Sequence, residues 1–231
     1  MSDTQIALIV GAGSGLSASL ARLFAGEGMS VALAARDADK LDELAGSCGA
    51  RVYGCDAGRP QDVRALFKDL AADLGPPDVV VYNPSQRVPG PVVALDPERV
   101  AEALRVTCYG GFLVGQAAAK AMLERGSGSI LFTGASASVK GYARSASFAM
   151  GKFALRGLAQ SMARELAPQN IHVAHFVIDG SIGRAGATGS GQQPDSQLDP
   201  DAIARTYLGI HRQHRSAWTW EVELRPWVEK F

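Results

Sequence analysis

Apolar residues along this chain come in short, mostly unbroken blocks. Residues 5–10 (Gln5-Ile6-Ala7-Leu8-Ile9-Val10), 29–35, 51–56, 78–83, 129–133 and 171–178 form such blocks. Each reads as a strand, and the first, with no polar alternation before Gly11, has the habit of a strand buried on both faces, as in a parallel sheet. A seventh block, residues 218–224, is expected at the sheet edge. Between the blocks the spacing becomes helical. Leu16, Leu20, Leu23 and Phe24 start a helix after the first strand, and further helices are expected over residues 39–48, 62–74, 98 to about 124, 147–167 and 199–211. Pro60 and the Asp96-Pro97 and Asp199-Pro200 pairs mark helix starts, where a proline costs no hydrogen bond.

Strands alternating with helices predict an α/β fold: a Rossmann-like, doubly wound parallel sheet of about seven strands with helices on both faces. A ligand is expected at the carboxyl ends of the strands, where their order reverses. The 231 residues are read as a single domain, 1–231, with a flexible loop at 181–198 and a C-terminal helix and edge strand at 199–231. The loop, with its run of glycines, reads either as a lid or as a plain insert.

Charge narrows the partners. Lys plus Arg and Asp plus Glu number 23 each, which leaves no electrostatic footprint for nucleic acid or an anionic membrane and favours a small-molecule substrate. Cys48, Cys55 and Cys108 are an odd number with no metal-ligand spacing, so they read as reduced apolar fillers and no metal is expected. No leader or membrane-spanning run is apparent, and a cytoplasmic location is expected.

The first strand ends in Gly11-Ala12-Gly13-Ser14-Gly15 and passes into a helix. A strand, a glycine turn and a helix N-terminus in this order seat a dinucleotide pyrophosphate. At the tip of the second strand stand Ala35 and Arg36, with no acid to take a ribose 2′-hydroxyl. NADP(H) is therefore preferred, with NAD(H) possible. Arg36 reads alternatively as a solvated surface arginine, and the adjacent Asp37 as its ion-pair partner.

Gly11-x-x-x-Gly15-Leu16, Asp56-Ala57, Asn83, the Lys152 helix and the run from Ala154 to Leu166 together resemble the short-chain dehydrogenase/reductase family, over residues 5 to about 182. The resemblance implies that Gly11, Gly13, Ser14, Gly15 and Leu16 hold the pyrophosphate, Asp56 and Ala57 the adenine, Asn83 the adenosine side, and Ile182 the carboxamide. It implies Lys152 on the nicotinamide ribose. Ser17 stands in place of the family's third glycine, Val10 in place of its leading threonine, and Tyr82-Asn83-Pro84-Ser85 keeps one asparagine of the strand-four motif.

The family delivers a proton from a tyrosine hydroxyl whose pKa is lowered by a lysine one helical turn on. Counting back from Lys152, that position is Phe148; the family's serine falls on Ala135 and its helix asparagine on Thr107. Phenylalanine has no proton to give. Ser136 and Tyr142 are the candidate substitutes beside Lys152, with Ser138, Ser145 and Ser147 nearby. Tyr142 reads equally as a surface loop residue. The expected activity is an NADP(H)-dependent oxidoreductase acting on a small carbonyl or alcohol with an altered active site. The alternative is a non-catalytic NADP(H)-binding sensor or structural partner subunit; an S-adenosylmethionine enzyme fits the glycine spacing poorly.

His172 and His175 read as core or strand-end residues, and His211 and His214 as exposed. The resemblance implies a homodimer or homotetramer through the Phe148 helix and its predecessor. Ala154, Leu155, Leu158, Ala159 and Met162 offer a stripe for that contact, or for the sheet. Trp218, Trp220 and Trp227 read as interface or as core.

Overall fold

The computed structural model describes residues 4–183 and 195–229. Seven strands form one sheet in the order β3-β2-β1-β4-β5-β6-β7, every neighbouring pair parallel. They are β1 (Ile6–Val10), β2 (Ser30–Ala35), β3 (Arg51–Gly54), β4 (Val79–Tyr82), β5 (Gly128–Thr133), β6 (Ile171–Ile178) and β7 (Glu221–Leu224). The strand order reverses between β1 and β4, and that reversal opens the crevice in which such sheets bind ligands.

Successive side chains on β1 serve different cores. Ile6, Leu8 and Val10 join α3 (Pro60–Asp73), α5 (Gly110–Arg125) and α6 (Ala146–Leu166) on one face. Ala7 and Ile9 join α1 (Leu16–Gly26) and α7 (Pro200–His211) on the other. Both faces of β1 are covered, so that strand carries no polar alternation. Helix α2 (Asp42–Cys48) follows a 3-10 turn over Asp39–Leu41. Asp96 and Asp199 cap their helices by accepting the N–H of Glu98 at 2.9 Å and of Asp201 at 3.0 Å, each followed by a first-turn proline.

Two expectations change. The helix expected over 98–124 is two helices, α4 (Pro97–Leu104) and α5, joined by a π-helical turn over Arg105–Tyr109. The cause is Tyr82, whose buried hydroxyl donates to the Val106 carbonyl and so opens the regular ladder. Strand β7 is shorter than 218–224, because Trp218 instead stacks on His172, with ring centroids 4.7 Å apart, and donates its indole N–H to the Gln213 carbonyl. Of the apolar stripe, read as facing either a second subunit or the sheet, Leu155 and Ala159 lie in the sheet core, with Leu158 and Met162 packed against them. Tyr109, Phe112, Met150 and Phe153 are exposed. Trp218 and Trp220 are half-buried within the fold, whereas Trp227 is exposed.

The segment expected to be a flexible loop is pinned at both ends. Ile182 bridges Leu198; the Gly183 N–H donates to the Leu198 carbonyl and the Leu198 N–H to the Ser181 carbonyl, both at 2.9 Å. Residues 184–194, on which the expectation of flexibility mainly falls, lie outside the described residues.

Candidate active site

A cleft of about 550 Å³ opens at the C-terminal ends of β1, β2 and β4, lined among others by Gly11, Gly13, Ser14, Arg36, Asp56, Ala57 and Asn83. Seven of the residues singled out in the sequence thus converge. Gly15 and Leu16 stand behind them: Gly15 caps α1 without a side-chain hydrogen bond, leaving the first N–H groups of the helix for an anion. The Leu16 side chain is buried in the core, so only its backbone faces that end. Gly11 has φ +79°, and a Cβ there would lie 2.7 Å from Pro84; a Cβ on Gly13 would meet nothing within 4 Å. Close approach of a pyrophosphate to the backbone therefore fits this turn.

Ser17 ties the turn to β4. Its hydroxyl donates to the Gly11 carbonyl at 3.1 Å and accepts from the Asn83 amide at 2.8 Å. What the sequence shows as a lost glycine is, in the fold, a buried connector. Asp56 accepts the Gly58 N–H at 2.9 Å and faces Arg105 at 3.7 Å. Asp37 pairs with Lys40 at 2.6 Å, not with Arg36. Arg36 has no ion pair among the described residues, and Lys40 lines the same cleft.

Along the sheet, at the end of β5, lies the second half of the site. Lys152 is 2% exposed, and its ammonium donates to the Thr133 carbonyl at 2.6 Å. Burial, followed by the nearby Arg87 charge, lowers its pKa to about 7. It is not a solvated helix lysine. Phe148, one turn earlier, packs with Ala135 and Ala137 in a small apolar cluster. The two positions where the resemblance places hydroxyls thus form one apolar surface. Thr107 sits against α6, 2.9 Å from where a Gly151 Cβ would be.

The candidate hydroxyls do not gather on Lys152. Ser138 accepts the Ala135 N–H at 3.1 Å, and Ser147 bonds both backbone groups of Val88 at 3.1 Å. Ser136 is half-buried, at the start of the 3-10 turn Ser136–Ser138. Tyr142 is 46% exposed, near Lys140, whose ammonium reaches Asp179 at 3.4 Å. Ile182 lies at the β-bridge beyond β6.

A residue the sequence left unmarked stands over this floor. The Arg87 guanidinium lies 3.9 Å above the Phe148 ring centroid, and Lys152 Nζ lies 5.9 Å from it. Its one sequence signal is position, four residues past Asn83 in the loop leaving β4, where the strand order reverses.

Glycine turn, paired cleft and buried lysine meet in one known pattern. The short chain dehydrogenase family model matches residues 5–182. This chain belongs to that family. Among its curated relatives, an uncharacterized oxidoreductase of Staphylococcus aureus (strain N315) is 27% identical over 228 residues, 96% of this chain and 97% of that protein. A short-chain dehydrogenase crystal structure from Rhodopseudomonas palustris superposes with a TM-score of 0.84 at 35% identity, covering 96% of this chain and 99% of that one. A metagenomic short-chain oxidoreductase solved in complex with NADP has a TM-score of 0.84 at 26% identity, over 96% of this chain and 97% of that chain.

The histidines remain apart from this chemistry. His172 and His175 are buried on β6, as expected. His175 meets Glu221 at 3.0 Å, and burial depresses its pKa to about 4 despite that partner. His211 is not exposed as expected: it is half-buried, within 2.9 Å of Ser129, with its pKa lowered by burial to about 4.

Proposed function

We propose that this chain is an NADP(H)-dependent oxidoreductase acting on a small carbonyl or alcohol, the whole chain serving as one dinucleotide-binding unit. The observation that carries the reading is Lys152: a buried ammonium held at the end of β5, on the same rim of strand ends as a glycine-lined cleft. The bound nicotinamide dinucleotide supplies or accepts hydride. Gly11, Gly13, Ser14 and the N-terminus of α1, which Gly15 and Leu16 begin, hold the pyrophosphate. Asp56 and Ala57 border the adenine, Asn83 the adenosine side, Ile182 the carboxamide, and Lys152 the nicotinamide ribose. Arg36, without an ion pair among the described residues and with Lys40 beside it, favours a 2′-phosphate over a bare hydroxyl. The NADP carried by the metagenomic neighbour supports the same preference.

Proton delivery departs from the family pattern. The apolar Phe148–Ala135 surface leaves Ser136, Tyr142 or Lys152 itself as donor. The same surface favours a second reading, a non-catalytic NADP(H)-binding sensor or partner subunit. A fluorescence titration with NADPH and NADH, followed by NADPH oxidation against a panel of small carbonyls, separates the two. Binding with turnover supports the enzyme; binding with no turnover supports the sensor; no binding of either dinucleotide overturns both.

The three thiols are all free, which suits the reducing cytoplasm, and among the described residues no helix is long and apolar enough to cross a membrane. The exposed Tyr109, Phe112, Met150 and Phe153, on the π-turn, α5 and α6, suit a homodimer or homotetramer.

A further inference from the structure

Arg87 is held from both sides and, among the described residues, its side chain makes no hydrogen bond or ion pair. The Gln86 N–H before it donates to the Thr107 hydroxyl at 3.1 Å, and the Val88 N–H after it donates to the Ser147 hydroxyl at 3.1 Å. Thr107 is 1% and Ser147 1% exposed, so the backbone of the arginine is fixed by two buried side chains from two different elements. Its guanidinium carbon then lies 3.9 Å from the Phe148 ring centroid. A contact with the ring face uses none of the five N–H groups of the fork. Among the described residues, no carboxylate, carbonyl or hydroxyl accepts from Arg87.

Among the described residues, the surroundings add positive charge and no counterion. Lys152 shares the same ring at 5.9 Å, and its own hydrogen bond goes to a neutral carbonyl. Neither cation has an ion-pair partner among the described residues. An arginine in an internal ion pair neutralises itself, whereas this one keeps its charge and its geometry for something that arrives from solvent. Arg87 is itself exposed, so the fork can be reached.

We infer that Arg87 is the substrate-recognition residue, and that the substrate carries a carboxylate near its reacting carbonyl or hydroxyl, as a small oxo or hydroxy acid does. This deepens the oxidoreductase reading of the same cleft and rests on it. A planar fork matches a carboxylate through two parallel N–H···O bonds. Phe148 then has a use its lack of a hydroxyl conceals: it is the platform that orients the fork. With the carboxylate on Arg87, the rest of a short substrate lies against the apolar Phe148–Ala135 surface on the Lys152 side.

The test compares matched pairs. NADPH oxidation is measured with acetoacetate against acetoacetamide and with 2-oxobutyrate against its amide, for wild type, Arg87→Gln and Arg87→Lys. Wild type is expected to favour the acids by about 10-fold or more in kcat/KM, a factor set by one charge-assisted pair. Arg87→Gln should bring the ratio near one, chiefly through KM, and Arg87→Lys should fall between. Equal use of acid and amide by wild type, or a ratio that Arg87→Gln leaves unchanged, overturns the inference. Should no carbonyl be reduced although NADPH binds, the oxidoreductase reading fails, and the subsite is judged separately. Oxamate titrated onto the NADPH-bound protein should quench cofactor fluorescence in wild type and at least 10-fold less tightly in Arg87→Gln. Oxamate binding alike to both proteins, or to neither, counts against Arg87.

Discussion

The Asn83 amide donates to the Ser17 hydroxyl at 2.8 Å across 66 residues of sequence, and the same hydroxyl donates to Gly11. One oxygen thus sets the distance between the glycine turn and the end of β4. Ser17→Ala leaves the amide and the carbonyl short of a partner. The expected cost is about 1–3 kcal/mol, read from urea unfolding, with weaker NADPH binding. Ser17→Gly should cost at least as much, since it adds backbone freedom inside α1. An unchanged midpoint in both variants would show that the connector contributes nothing.

Phe148 lies one turn before Lys152 on α6. If the cofactor is bound in a productive pose and only the proton donor is missing, Phe148→Tyr should raise carbonyl reduction by roughly 100-fold or more, the scale of a positioned general acid. Unaltered kcat in Phe148→Tyr, with NADPH affinity intact, would indicate that the proton comes from another group.

Lys152 titrates at about 7 when folded against an ordinary 10.5. Between these values the unfolded chain binds a proton that the folded chain does not, so this group makes stability rise with pH from about 7 toward 10.5. The penalty for charging the buried amine is fully felt below pH 7. Lys152→Met removes the titration. The stability of wild type relative to that variant should therefore climb with pH over this window, by up to about 1.4 kcal/mol per pH unit. A flat difference in urea unfolding at several pH values contradicts the burial argument.

On the acid side, His175 and His211 are depressed to about 4 from 6.5. The unfolded chain binds protons first as pH falls, so stability should drop between pH 6.5 and 4. His211→Asn, which can still pair with Ser129, should make that drop shallower. Equilibrium unfolding of both proteins across this window provides the check.

Arg36 lines the cleft without a carboxylate partner among the described residues, and Asp37 pairs with Lys40. Arg36→Ala should weaken NADPH binding by about 10-fold or more while changing NADH binding little. Parallel titrations decide it, and an equal loss for both dinucleotides removes the basis for a 2′-phosphate.

The layered sheet was readable because its evidence is periodic. Blocks such as residues 171–178 have no polar face in sequence and none in the fold, where all eight residues of β6 are buried. The cleft was readable because glycines and Asn83 mark a backbone geometry. Arg87 was not, since its meaning comes from Thr107 and Ser147, distant in sequence and joined only by packing. Ser17 read as a loss for the same reason. The stripe on α6 stayed open between subunit and sheet because helical spacing identifies an apolar face without saying which neighbour covers it.

The π-helical turn at Arg105–Tyr109 acts as a phase shift in the long segment between α4 and α5. One extra residue turns everything after it by about 100° around the axis relative to an unbroken helix. Phe112, past the turn, is exposed, and the Tyr82 hydroxyl on β4 bonds the Val106 carbonyl within the turn. Replacing that single phenol inside the sheet is therefore expected to rotate the start of α5, so a core strand beside the cleft is coupled to the aim of aromatic side chains on the outer surface.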